Sequence, residues 1–537
     1  MIRNGKILVW IIGLFIINQT VLFAQHSAEN AGTVHFEVSC NEVGSSYFID
    51  GLTMLHHMMY DQAYDIFQES LESDPNCSMA HWGVAMTQFN PLWAPPTDKM
   101  FQKGFDAIRL AADGIEGVTQ KEENHIMALY SYYDAAADHG YSEGVKAWEH
   151  ALEEIYDQNP DDVEAGAFYG LSMLATAPAD DEMFSKNKSS GEMMEKLLEM
   201  SPNHPGLFHY IIHAYDNPVL ADKGVEFANG YEELAPDVPH ALHMPSHIFV
   251  RIGKWDETIA WNRRSADAAL RQPVEDMTSM HHAHALDYMM YGYLQKGQDN
   301  AASQVLNELM AIDNYQPHFG AAYGVAAARA RYVLEQSNWE RAAQLNPKPE
   351  SGFDWNQFPQ YEAISWWTKG LGSAKTGDLQ SAREAVDVLE QLHRETLERE
   401  EEYWALLVDV QRKTIQAWIL NAKEKVNEAL ALMREAADLE DSVDKHPVTP
   451  SEVLPARELL GDMLLSHDKP IEALTAYETT LSISPSRFNS LYGAGMAAEK
   501  AGDADLASYY FENLLQITEE ESSRPQLTRV NQFLSTR

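Results

Sequence analysis

The chain has 537 residues, of which 81 are acidic and 39 basic, giving a formal net charge of -42. That length exceeds what one compact core holds and calls for several domains or an elongated repeat array. The charge argues against binding nucleic-acid phosphates or an anionic membrane surface and leaves cations, neutral molecules and basic protein surfaces as partners.

The first 24 residues read as a secretory signal: Arg3 and Lys6, an apolar run from Ile7 to Ile17, and Ala24 at the cleavage point. Residues 1–24 are therefore expected to be removed, and the protein to be exported, periplasmic or otherwise secreted. No later apolar stretch reaches the ~18–20 residues of a membrane span, so the mature chain is expected to carry none. Losing Arg3 and Lys6 leaves a still more negative array, expected to be monomeric or weakly associated.

Beyond the leader the chain repeats itself. Tyr47, Gly51, Ala63, Phe67 and Pro75 form a first unit, and Tyr293, Gly297, Ala302 and Leu306 another. Near the C-terminus Gly461, Ala473 and Tyr477 recur 34 residues on as Gly495, Ala507 and Phe511. A small residue lets paired helices approach, an aromatic fills the space between units, and a proline such as Pro485 ends the second helix. This pattern resembles the tetratricopeptide repeat (TPR) family, which implies an all-α, superhelical solenoid of stacked helix-turn-helix units. No alternating strand pattern competes with it. Pro-rich and polar interruptions at Asn90–Asp98, Ala177–Ser190, Gln272–Asp276 and Leu345–Gln360 read as loops. The expected division is an N-terminal array over residues 25–345 with its core at 203–296, a loop insertion at 346–360, and a C-terminal array over 361–537.

Cys40 precedes the first helix of the first unit and Cys77 opens that of the second. First helices of neighbouring units run parallel, so their starts adjoin, and in an exported chain a disulfide is expected. The plainer alternative is a pair of buried small hydrophobes.

The densest chemistry lies from Asn203 to Trp261. His209 and His213 stand four apart, on one helical face, and His243 and His247 repeat the spacing 34 positions later. Gly253 and Gly297 are equivalent turn positions 44 apart, so ten residues are inserted between them. Allowing for this, His240, His243 and His247 align with His284, Asp287 and Tyr291. In TPR proteins these positions line the concave groove, and the resemblance implies as much here. Two histidine pairs on adjacent helices can offer four nitrogens to one ion. Asp216, His240, His281, His284 and Asp287 could add ligands or support them. A thiolate-free, imidazole-rich set suits zinc, copper, iron or nickel rather than calcium or magnesium. Arg251 could bind an anion or form an internal salt bridge.

The stretch also resembles a group of exported bacterial TPR proteins that share HPG-x-x-HY-x-IHA-x-D and H-x-x-HMPSHI-x-x-R-x-G-x-W, here His204 to Asp216 and His240 to Trp255. The resemblance extends to Cys40, His56, His57 and the run Asp74–Gly83. Some members occur in polysaccharide-utilisation systems. Walker, dinucleotide, nucleophile-elbow and HExxH motifs are absent from the sequence.

Three readings stand at this stage. One is an exported TPR accessory or binding protein with a His-rich groove that takes a protein, small molecule or glycan, serving a polysaccharide-degradation system. A second is a metalloenzyme with His209, His213, His243 and His247 as ligands and Asp287 or Tyr291 as acid, base or fifth ligand. The third is a scaffold in which the histidines are structural. Tyr130, Tyr132, Tyr133, Phe353, Trp355 and Phe358 offer either sugar-stacking faces or packing between repeats.

Overall fold

A computed structural model describes residues 30–536 except 94, 179, 180, 520 and 521. The expected signal segment lies outside the described residues. Within them the chain is α-helical throughout, and its only β geometry is two isolated bridges, Val274 with Met277 and Thr278 with Tyr315.

Successive helices pair and stack: Glu42–His56 with Tyr60–Ser73, Pro205–Tyr215 with Ala221–Leu234, Met280–Gln295 with Asp299–Met310, Phe488–Ala501 with Ala504–Ile517. The small-residue and aromatic pattern is what makes the pairs close. A Cβ at Gly51 would stand 2.7 Å from the Phe67 ring, and one at Gly461 2.8 Å from Tyr477, so only glycine admits these crossings. Gly253 and Gly297 occupy left-handed backbone at φ 69° and 68°, as their equivalence in the repeat predicts. The array is thus an all-α helical-repeat solenoid.

Two boundaries differ from the sequence reading. Ser185–Met200 is helical from Ser185, so the polar run up to Ser190 forms opening turns of a helix rather than loop. The histidine-bearing segment after Val238 is two short helices, Pro239–His243 and Pro245–Arg251. Pro245 lacks an N–H to give Ala241 and its ring crowds that carbonyl, so the helix breaks between His243 and His247.

The solenoid winds back onto itself. Trp255 Nε1 donates to Ser486 O at 3.1 Å, Phe488 N donates to Gln295 Oε1 at 2.8 Å, and Ser522 Oγ donates to Gly297 O at 2.8 Å. Arg331 donates to Ser451 O at 2.7 Å and Glu452 O at 2.8 Å, fastening the segment around 444–454 across the inner face. The aromatic groups fall into packing roles: Tyr132, Tyr133 and Trp355 are buried, and Phe353 rests against the core. Among the described residues no helix is long and apolar enough to cross a membrane.

Cys40 and Cys77 are joined, with Cα atoms 5.0 Å apart and 37 positions between them in sequence. Closing a loop of that size removes unfolded-state entropy worth about 3–4 kcal/mol. Replacing both cysteines by serine is expected to lower the stability of the N-terminal repeats by that amount. Denaturant unfolding followed by hydrogen exchange at residues 42–73 measures it, and unchanged protection there would contradict the assignment.

Candidate metal centre

The sequence expectation placed four histidines on an open concave wall, around one ion. The structure buries that wall and groups its histidines differently. His209 and His243 are 0% and 1% exposed, and His213, His240, His247 and His284 are buried with them, because loops from elsewhere in the chain cover this stretch of the inner face. Trp93, from the Pro-rich loop before Asp98–Asp113, lies against His240 with ring centroids 5.6 Å apart. His446 Nε2 donates to Trp93 O at 2.9 Å and joins that loop to the returning C-terminal half.

The histidines form two neighbouring sets of three. In one, His209, His213 and His240 bring a nitrogen each within 4.8 Å of one another, and in the other, His243, His247 and His284 do the same. Three nitrogens around one ion at 2.0–2.1 Å stand about 3.5 Å apart, so small ring movements complete either set. The partition departs from the alignment of the repeats. Alignment makes His209 equivalent to His243, yet the ring beside His209 is His240, at 5.0 Å, and the ring beside His243 is His284, at 4.2 Å. The equivalent pair His213 and His247 does meet, with ring centroids 5.4 Å apart, so the two sets adjoin.

Hydrogen bonds fix which nitrogens are free. Asn262 Nδ2 donates to Thr258 O, which turns Asn262 Oδ1 toward His243 Nδ1 at 2.6 Å, so that Nδ1 carries the proton. His247 Nδ1 donates to Asp216 Oδ2 at 2.8 Å, and His209 Nδ1 donates to His56 O at 2.7 Å. The Nε2 atoms of His243 and His247 are then both lone-pair acceptors, and they face each other at 3.0 Å. Two acceptors at that distance repel unless a proton or cation lies between them. His209 Nε2, His213 Nε2, both ring nitrogens of His240 and Nδ1 of His284 and His281 are buried without a partner.

Burial lowers His213, His243 and His247 to about 3 and His209, His240 and His284 well below the ordinary histidine range. All are therefore neutral near pH 7, the form that ligates metal. Asp216, expected to add a ligand or support one, stands behind His247, also accepting from Arg251 Nε at 2.8 Å and Lys445 Nζ at 2.8 Å. Burial pushes its carboxyl up, but Lys445, Arg251 and His247 outweigh that and hold it well below the usual range. Arg251 also grips Asp444 at 2.7 Å, so its role is an internal salt bridge.

Asp287 and Tyr291 fall outside both sets. Asp287 accepts from Arg331 Nε at 3.0 Å, and Tyr291 Oη accepts from Arg487 at 3.2 Å. Both belong to the arginine clasps that hold the C-terminal half in place. A third cluster has the right residue types but no free donor atoms. His56 and His204 each donate Nε2–H to Glu164 at 2.9 Å, while their Nδ1 atoms face Tyr210 Oη and Leu207 N. Sequence reasoning missed Asn262, Asp444, Lys445, His446 and Trp93. No motif spacing links these positions to 203–261, because they arrive from a second helix layer or from distant loops.

No family model and no curated protein matches the chain. Among solved structures it is similar to a chain of the APC/C hetero-tetramer Cut9–Hcn1, at 12% identity over 91% of this chain and 76% of that one, with a TM-score of 0.38. A human IFIT1 dimer with m7Gppp-AAAA gives 12%, 86%, 95% and 0.36, and yeast Tom70 gives 11%, 92%, 90% and 0.30, in the same order.

Proposed function

We propose that this protein is an exported binding protein in which a TPR-type solenoid, closed on itself, holds a transition metal through buried neutral histidines. The observation that carries the reading is the pair of Nε2 lone pairs of His243 and His247 facing each other at 3.0 Å, each ring anchored through Nδ1. Histidine ligands are ordinarily held in this way, by a carboxylate, amide or carbonyl at the far nitrogen. The disulfide and the N-terminal leader support export. The nitrogen-only donor set favours zinc, copper, nickel or iron.

Protein purified without a histidine tag is expected to contain stoichiometric transition metal. After chelation, free metal at a hundred times its dissociation constant is expected to restore about 2.7 kcal/mol of stability. Asparagine is the informative replacement, since its amide nitrogen can take the place of Nδ1 while Nε2 is lost. A double variant, His209→Asn with His247→Asn, should keep the bonds to His56 and Asp216 and show no melting shift with any of the four metals. Absence of bound metal together with no shift in the unaltered protein would overturn the reading.

A further inference from the structure

The proposed metal-binding role leaves the number of ions open, and the geometry points to two. We propose that the inner face holds a two-ion centre, one late first-row ion in His209, His213 and His240 and a second in His243, His247 and His284, bridged by a single one- or two-atom oxygen ligand such as hydroxide. The proposal rests on the metal-binding reading above and deepens it.

Three observations carry it. Each set supplies three imidazoles from neighbouring repeats, and each contains unpartnered buried nitrogens, which a single ion could satisfy on one side only. The third such cluster, His56, Glu164 and His204, has its nitrogens and carboxylate oxygens paired among themselves and with Tyr210 and Leu207, so unpartnered nitrogens separate the two all-histidine sets from it. Between the sets lies a cavity whose wall takes His213 and His240 from the first and His247 and His284 from the second.

The rest of that wall includes Trp93, Met280, Phe319 and Val448. The cavity offers about 20 Å³ to the centre of a water molecule, which is room for one water and far too little for a sugar ring or peptide. Charge gives the ligand its sign. Six neutral imidazoles bring no compensation, and the nearby Asp216, Asp444, Arg251 and Lys445 cancel one another. Two buried cations in a poorly hydrated site need an anion, and the space beside both sets admits only a small one. A water entering it would bridge as hydroxide, giving one proton to solvent.

The test uses the full-length, untagged, metal-stripped protein, loaded in parallel with Zn(II) and with Cu(II). Two ions per chain are expected for each metal. His209→Asn and His247→Asn, each removing one Nε2 from one set, should each retain one. In the two-copper protein the bridge couples the spins, so the paramagnetic resonance signal should integrate to far less than two spins per chain. In either single variant it should rise to about one spin per bound copper. One ion per chain in the unaltered protein overturns the two-ion centre and leaves the metal-binding reading standing, whereas no ion overturns both. Two coppers with the full signal of isolated ions overturn the bridge. The stoichiometry and signal of the unaltered protein decide the matter even if a variant does not fold.

Discussion

Replacing Arg487 by methionine is expected to cost about 5 kcal/mol, the upper end for breaking a buried ion pair, because it strands two carboxylates at once. Arg487 is fully buried and donates to Glu335 Oε1 at 2.9 Å and to Glu458 Oε2 at 3.1 Å. Asn489 Nδ2 adds a bond to Glu335 at 3.0 Å, and Ser490 Oγ donates to Glu458, so the two acids have help that cannot neutralise them. Glu335 and Tyr291 belong to the N-terminal half and Glu458 to the C-terminal half. The clasp therefore keeps the segment around 444–454 seated over the histidines. Denaturant unfolding measures the loss, and hydrogen exchange at residues 441–455 should speed up with it. Adding Glu335→Gln and Glu458→Gln removes the stranded charges and should recover most of the stability. A loss under about 1 kcal/mol in the single variant would show that the network is not what holds the halves together.

Acid is expected to unfold the metal-free protein steeply between pH 6.5 and about 4. Burial lowers His57 to about 4, against the pull of the Ala31 carbonyl, and lowers His125 to about 4 as well. Unfolded, each titrates near 6.5. Within that window the unfolded chain binds protons that the folded chain refuses, so stability is complete above about 6.5 and falls as pH drops toward 4. Each fully buried ring contributes about 3 kcal/mol to the loss. Glu164 acts in the same direction. Burial alone would raise its pKa, but His204 and His56 hold it well below the ordinary range, and its contribution persists until pH falls through that lowered value. Denaturant midpoints measured in chelator from pH 7.5 to 4 test this. His57→Gln should flatten the slope by about one proton, or about 1.4 kcal/mol per pH unit. An unchanged slope would mean that His57 is not the neutral, buried group described.

Much of the fold was legible in the chain. Glycine against aromatic at 34-residue spacing specifies helix pairs that meet closely, and that contact is local: Gly51 meets Phe67, and Gly461 meets Tyr477, within a single unit. The cysteine pair was legible for the same reason, since adjacent parallel helices put their starts side by side. That His209 lies beside His213 and His243 beside His247 was legible too, because i and i+4 positions share a face.

What the sequence could not supply is how one repeat is rotated against the next. That rotation, accumulated over the stack, pairs His209 with His240 rather than His243 and makes two sets of three from an expected four. It also carries Lys445, His446 and Trp93 from more than 100 positions away in sequence onto the inner face, turning an expected groove into an interior. Periodicity within a chain encodes contacts between near neighbours. The closure of the solenoid depends instead on long-range bonds, such as Arg251 to Asp444 and Arg487 to Glu335, which have no spacing to betray them.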